Sequence, residues 1–223
     1  VYDKAAAADS SNNPFAFTAY GALVNGTAIC EGYSRAFQLL MKCVGIECTL
    51  ITGSSKEQGH MWNKVKIESD WYNVDATWND DDTYIFHTYF NITDKMIEND
   101  HEIHLDYSEL SVDQLEEFDD FNIALPDCVS LKNNYGIINN SYISSSDDFA
   151  YVTTDVLTEK AESGIREAEF VFGEDCPLIF SLDGENSITD LLEKNDILRN
   201  VNRRLSRSNN ISNIYISGIP GSK

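Results

Sequence analysis

The sequence predicts an α+β fold, and three observations carry that expectation. Residues 28–44 show one stretch of helical periodicity. Three strand-like runs follow at once, over 47–53, 60–67 and 71–77, the last two separated by little more than Ser69-Asp70. From residue 149 onward the pattern alternates strand and helix in the order βαββαβ. A helix followed by hairpin-linked strands points to an antiparallel sheet with a helix against it, and the later alternation to a small α/β unit.

Taken in order, residues 1–26 read as loop-rich, with Ser10-Ser11-Asn12-Asn13-Pro14 as a breaker. In the helix, Tyr33, Phe37, Leu40, Met41 and Val44 recur at helical spacing and should form the buried face. Thr27 is placed to cap its start, and Gly45 to end it. The run 60–67 alternates, with Met61, Val65 and Ile67 on one face. Residues 79–130 are acidic and mixed, with short helices expected near 93–99 and 111–118. At 132–148 the composition shifts to Asn, Ser and Gly. Strands are then expected at 149–154, 168–173, 177–182 and 211–218, with helices at 155–167 and 187–206. The resulting division is a core over 1–131, a linker or long loop over 132–148, and a small α/β domain or subdomain over 149–223.

Composition excludes several classes. The chain has 223 residues and a formal net charge of −21, so it offers no basic surface for phosphate contacts, and nucleic-acid binding is not expected. No apolar run nears the roughly 20 residues that cross a bilayer, so no membrane insertion is expected. Residues 1–8 hold no signal peptide and the chain begins without Met, which suggests a fragment or a processed form. Cys30, Cys43, Cys48, Cys128 and Cys176 are odd in number and include no Cys-x-x-Cys, so neither a disulfide scaffold nor a ribbon-type zinc is expected. Cys43 and Cys48 could pair, but read more simply as small buried residues.

The chemistry concentrates in three positions. Cys30 falls at the start of the predicted helix, where unpaired backbone N–H groups and the helix dipole stabilise a thiolate and can receive an oxyanion. His60 opens the second strand run; an imidazole beside a thiolate forms an ion pair and later protonates a leaving group. Asp75 ends the third run, where pairing across the hairpin would set a carboxylate against that imidazole and fix its tautomer. Alone, each has an ordinary structural reading: a small buried residue, a strand-end histidine, a turn-forming aspartate. Together they stand in order on helix start, strand and adjacent strand.

The wording around them is specific. Tyr20 to Tyr33, with Asn25-Gly26-Thr27-Ala28-Ile29-Cys30-Glu31-Gly32-Tyr33, resembles the nucleophile region of bacterial transglutaminase-like proteins. Gly59-His60-Met61-Trp62-Asn63-Lys64-Val65 resembles their histidine strand, and Trp71-Tyr72-Asn73-Val74-Asp75-Ala76-Thr77-Trp78 their aspartate strand. The later Tyr89-Phe90-Asn91-Ile92-Thr93-Asp94 also looks like a segment that follows the core in such proteins. The resemblance covers 18–80 strongly, its flanks loosely, and 106–223 hardly at all.

That resemblance implies a papain-like transglutaminase core, with the Cys helix packed on an antiparallel sheet carrying His and Asp. It implies cysteine-dependent acyl transfer on amide bonds through a thioester, as peptidase, amidase or protein-glutamine transglutaminase, on a protein or peptide substrate. Cys30, His60 and Asp75 would be the catalytic residues. Tyr20 is a candidate second oxyanion donor or else a core aromatic, and Trp62 and Trp78 are either cleft walls or core. No cofactor or metal is expected, and an extracellular or cell-surface location is. Family cores carry more helix before the Cys motif than residues 1–26 supply. The alternative is a non-catalytic binding or scaffold module that keeps the fold. Elsewhere, His101 and His104 read as a solvated helix face, Asp80-Asp81-Asp82 as a solvated turn, and Arg203, Arg204 and Arg207 as a basic patch on the last long helix.

Overall fold

A computed structural model describes residues 1–80, 84–104, 125–173, 202–207 and 212–219. The long helix forms as α2 (Cys30–Cys43). Gly45 ends it as expected: it takes φ 77°, and Gly45 and Ile46 donate N–H to the carbonyls of Lys42 and Met41 at 3.2 and 2.9 Å. This left-handed closure satisfies the last carbonyls and favours glycine. Thr27 is not the cap; Ile29 holds that position without a side-chain hydrogen bond.

The buried face of α2 also differs from expectation. Gly32, Ser34 and Ala36 are buried, Phe37 and Met41 are partly so, and Leu40 and Val44 are exposed. The helix approaches its neighbours closely, so small residues carry the contact. A Cβ at Gly32 would lie 2.3 Å from the Ala16 carbonyl oxygen.

Strands β1 (Cys48–Ser55), β2 (Gln58–Ile67), β3 (Asp70–Val74), β4 (Phe90–Ile92) and β5 (His101–Ile103) form an antiparallel sheet in the order β4-β3-β2-β1-β5. Lys56 and Glu57, with φ 49° and 64°, make the two-residue turn between β1 and β2. The alternation of β2 serves two layers. Val65 packs with Tyr72 and Val74 under Phe37 and Met41 of α2. Trp62 faces the other way, with Ile51, Tyr89, Ile92, Met96 and Ile97. Lys64 is also buried, and it donates to Asp94 at 2.9 Å and to the Pro126 carbonyl at 2.8 Å. The run expected over 71–77 stops at Val74 because Asp75 caps a short helix, α3 (Ala76–Asn79). Helix α4 (Asp94–Ile97) falls within the expected 93–99, whereas the helix expected at 111–118 lies outside the described residues.

Residues 1–26 are helical turns rather than loop. Helix α1 (Lys4–Ala8) leads to 3₁₀ turns at Ser10–Asn12 and Pro14–Phe17 and a π turn at Gly21–Asn25. Tyr2 bridges to Ala28, and Ala6, Ala16 and Ile29 bury together with Tyr2 and Phe17 against them. The N-terminal segment is thereby tied beside the start of α2.

Beyond residue 131 three expectations are corrected. The stretch 132–148 holds helix α5 (Tyr135–Ile138) and strand β6 (Tyr142–Ile143). Residues 149–154 are helix, not strand: α6 spans Ser146–Glu162. Phe149, Thr153, Val156 and Leu157 are buried at helical spacing, and Ser145 caps the start, which outweighs the β-favouring Phe-Ala-Tyr-Val-Thr-Thr composition. The end of the helix expected at 187–206 is instead strand β8 (Asn202–Arg207), which carries Arg203, Arg204 and Arg207. With β7 (Glu167–Phe172) and β9 (Ser212–Ser217), near the expected 168–173 and 211–218, the order is β6-β7-β9-β8. Strands β6 and β7 are parallel, joined through α6, and the other pairings are antiparallel. The expected βαββαβ order is therefore not the order of the described residues; the strand expected at 177–182 lies outside them.

A contact between the two sheets' surroundings centres on His87. Glu169 of β7 accepts from the His87 backbone N–H at 2.8 Å and from its ring Nδ1 at 2.6 Å, while Tyr135 stacks on that ring at 3.9 Å.

Candidate active site

Three elements converge at one end of the first sheet. Cys30 is the first residue of α2, at a helix start with no side chain occupying the cap. His60 lies on β2 opposite Gly53 of β1. Asp75 follows the last residue of β3 and is fully buried. Its Oδ1 accepts from the backbone N–H groups of Thr77 and Trp78, at 2.8 and 3.2 Å, so the cap of α3 fixes the carboxylate's orientation. Its Oδ2 accepts from His60 Nε2 at 2.7 Å. Cys30 is the second group that acts on His60, favouring its charged form through a side-chain hydrogen bond and its charge. The structure thus brings together the three residues singled out in the sequence.

The electrostatics follow from this geometry. Burial works against the charged form of His60, but the hydrogen bonds and charges of Asp75 and Cys30 outweigh it and raise the imidazole to about 9. Burial likewise opposes ionised Asp75. The hydrogen bonds from His101 and His60 and their charges overcome it, and the carboxyl falls to about 2. The site therefore holds an ionised Asp75 beside a protonated His60 at neutral pH.

His101 was missed in the sequence. It does not lie on a solvated helix with His104. It is buried on β5, and its Nε2 donates to the same Asp75 Oδ2 at 3.1 Å. His104 is the exposed one and hydrogen-bonds Ser54 Oγ. The available signal was period-2 alternation, with His101 and Ile103 inward and Glu102 and His104 outward; reading i, i+3 spacing selected the wrong element.

Aromatic rings enclose the pair. Trp62 is fully buried, lies nearly parallel to His60 at 6.2 Å and belongs to the core. Trp78 is partly exposed and meets His60 edge-on at 5.9 Å, with Lys56 Nζ 3.8 Å above its ring, so it forms a wall. Tyr20 is 53% exposed and packs on Phe15, so it is not a core aromatic. Tyr2 is a tyrosine within electrostatic reach of Cys30 and Asp75. Burial and the charges of Cys30 and Asp75 raise its hydroxyl above the usual range, so it remains a phenol. The π turn at Gly21–Asn25 follows Tyr20, and neither that turn nor the Tyr2–Ala28 bridge has a periodic sequence signal.

Other candidates resolve differently. Cys43 is exposed rather than buried, and Cys48 is half-buried; both are free, as are Cys30 and Cys128. Burial pushes the thiols of Cys48 and Cys128 up to about 11 and about 12. Asp80 accepts from the Tyr33 hydroxyl, and Asp81 and Asp82 lie outside the described residues. His60, Asp75 and His101 present ligand-type atoms within 4.8 Å of one another. The 2.7 Å between His60 and Asp75 is shorter than the roughly 3.3 Å between two ligands of tetrahedral zinc, and fits a shared proton. Among the described residues no helix is long and apolar enough to cross a membrane.

Comparison with known proteins adds the following. A model of the transglutaminase-like superfamily core matches residues 1–76, a span that includes Cys30, His60 and Asp75 but not His101. Human (Homo sapiens) kyphoscoliosis peptidase is 32% identical over 89 residues, which cover 34% of this chain and 13% of that protein. Its Mus musculus counterpart is 33% identical over 61 residues, covering 22% of this chain and 9% of that protein. The chain therefore matches only a small part of the length of these relatives. A solved structure described as a crystal structure of a TGase aligns at TM-score 0.30 and 20% identity, over 34% of this chain and 22% of that one.

Proposed function

We propose that the chain is a transglutaminase-like protein, as the superfamily core match over residues 1–76 supports, and that Cys30, His60 and Asp75 are the catalytic residues of a thiol-dependent acyl transfer on amide bonds of protein or peptide substrates. The observation that carries this reading is the His60 imidazole, 2.7 Å from the buried Asp75 and held in its charged form by Asp75 and Cys30 together. In this reading the Cys30 thiolate attacks an amide carbonyl carbon and forms a C–S bond. The oxyanion is received by the backbone N–H at the uncapped start of α2, with the Tyr2 hydroxyl in place of Tyr20 as the second donor. His60 gives its proton to the departing amine, the C–N bond breaks and a thioester remains. His60 then takes a proton from water or an incoming amine, which attacks the thioester and releases Cys30. Asp75 stays ionised throughout and orients His60. The named peptidase relatives support hydrolysis as the outcome.

The test separates site from acceptor. Iodoacetamide should alkylate Cys30 faster than the exposed Cys43 at pH 7, by peptide mapping, and Cys30→Ala should abolish turnover of a glutamine-containing peptide library. Equal alkylation of Cys30 and Cys43, with no turnover dependent on Cys30, leaves only a binding or scaffold module. Incorporation of a primary amine into glutamine would assign cross-linking instead of hydrolysis.

A further inference from the structure

His101 sits in the site in a way its burial alone does not require. Its Nε2 faces Asp75 Oδ2 at 3.1 Å, and its Nδ1 faces Asp100 Oδ1 at 2.6 Å. Both ring nitrogens are thus directed at carboxylate oxygens. A neutral imidazole has one donor and one acceptor, so its lone pair would point at an anion; with both carboxyls ionised, the doubly protonated ring is the form that satisfies both contacts. Neither carboxylate is free to turn away. Asp75 Oδ1 is held by two backbone N–H groups, and Asp100 Oδ2 accepts from the Tyr89 hydroxyl at 2.6 Å. The side chains of His101 and Asp75 are 0% exposed and that of Asp100 is 3% exposed, so water does not replace these partners.

We propose that His101 is a positioning residue of this site, held as a buried imidazolium between Asp75 and Asp100, and that its charge limits how tightly His60 keeps its proton. The inference rests on the thiol-site reading above. It adds a second cation to what would otherwise be a three-member site. Charges then alternate from His60 through Asp75 and His101 to Asp100.

Among the described residues, the groups facing His101 are few. His60 comes from β2 with ring centroids 5.2 Å apart, Asp75 from the end of β3, and Asp100 from the residue before β5. The rings of Trp62, Trp78 and Tyr89 close the remaining sides, and Lys56 lies over the far side of Trp78. Asp75 alone would hold the His60 proton so firmly that passing it to a leaving amine becomes unfavourable. A second cation sharing the same Oδ2 offsets part of that attraction. Two unit charges about 5 Å apart at an effective dielectric near 20 correspond to a shift of about two pH units. The direction of the His101 shift agrees: burial opposes its charge, and Asp100 and Asp75 together raise it above the ordinary histidine value.

The test reads protonation directly and needs no substrate. In the full chain labelled with ¹⁵N-histidine, both ring nitrogens of His101 should carry protons from pH 6 to pH 8. One unprotonated His101 nitrogen in that range overturns the proposal. In His101→Gln, which keeps a neutral donor toward Asp75, the His60 titration should move up by about two pH units. An unmoved His60 titration in a folded variant overturns the tuning role and leaves only a structural plug. Should that variant not fold, Asp100→Asn keeps His101 in place, and the His101 titration should drop by at least one unit; no drop refutes the two-carboxylate clamp. Failure of the thiol-site reading looks different: Cys30 would alkylate no faster than Cys43 while the His101 signals stay as described.

Discussion

Asp75→Asn is the sharpest perturbation of the site. The amide can keep the Oδ1 contacts to Thr77 and Trp78, so α3 stays capped, but its NH₂ would face the N–H groups of His60 and His101. His60 stands at about 9 against an ordinary 6.5, a rise worth about 3 kcal/mol of preference for the imidazolium, most of it supplied by Asp75 against the opposing effect of burial. Losing it should lower both Cys30 alkylation and turnover at pH 7 by about a hundredfold. The stability sign follows from the same groups. The raised His60 stabilises the fold fully below 6.5, and that contribution is lost as pH rises through about 9. The lowered Asp75 stabilises it above 3.8, and that contribution is lost as pH falls through about 2. Wild-type melting temperature should therefore drop between pH 7 and pH 10, and the variant's should drop less. Alkylation of Cys30 in Asp75→Asn within threefold of wild type, with equal pH slopes of melting, would show that Asp75 does not govern the imidazole.

Two substitutions test the frame around the site. At Gly53 an added Cβ would lie 2.0 Å from the Glu102 carbonyl oxygen and 2.8 Å from the Trp62 ring; Gly53→Val should displace β5, cost about 2–3 kcal/mol in urea melts and disturb the His101 ring signals. Unshifted His101 resonances would mean that β5 is not held by this close approach. Lys64→Met removes the partner of Asp94 and of the Pro126 carbonyl, and should cost roughly 2–4 kcal/mol; a loss under 0.5 kcal/mol would show that the apolar gain offsets the broken pair.

The residues were legible where local pattern and chemistry agreed. Helix α2 announced itself by period and by Gly45, and β1 to β3 by alternation and short turns. Cys30, His60 and Asp75 fell within one stretch whose wording is specific, so their convergence was readable. His101 was not, because β5 is three residues long and its place beside β1 is set by a non-local pairing, Ser55 with His101. Tyr2 was hidden for the same reason: its position depends on a single bridge to Ala28. Near residue 149 the aromatic and β-branched residues favoured a strand in isolation, and burial of Phe149, Val156 and Leu157 on one helical face decided otherwise. The exposed Leu40 and Val44 show the converse, since helical spacing marks a stripe but not how much of it a neighbour covers.

The grip of Glu169 on His87 has a consequence for how the chain comes apart. Residue 87 lies two positions before Tyr89, whose hydroxyl holds Asp100 in place. A carboxylate of the second sheet is in this way the keystone for a loop of the first. Excision at residue 131 would remove both Glu169 and the Tyr135 ring that stacks on the histidine, and leave the loop leading to Tyr89 to its contacts with Asn79 and Asp75. The two sheets have separate strand ladders, and through this contact their melting should be coupled.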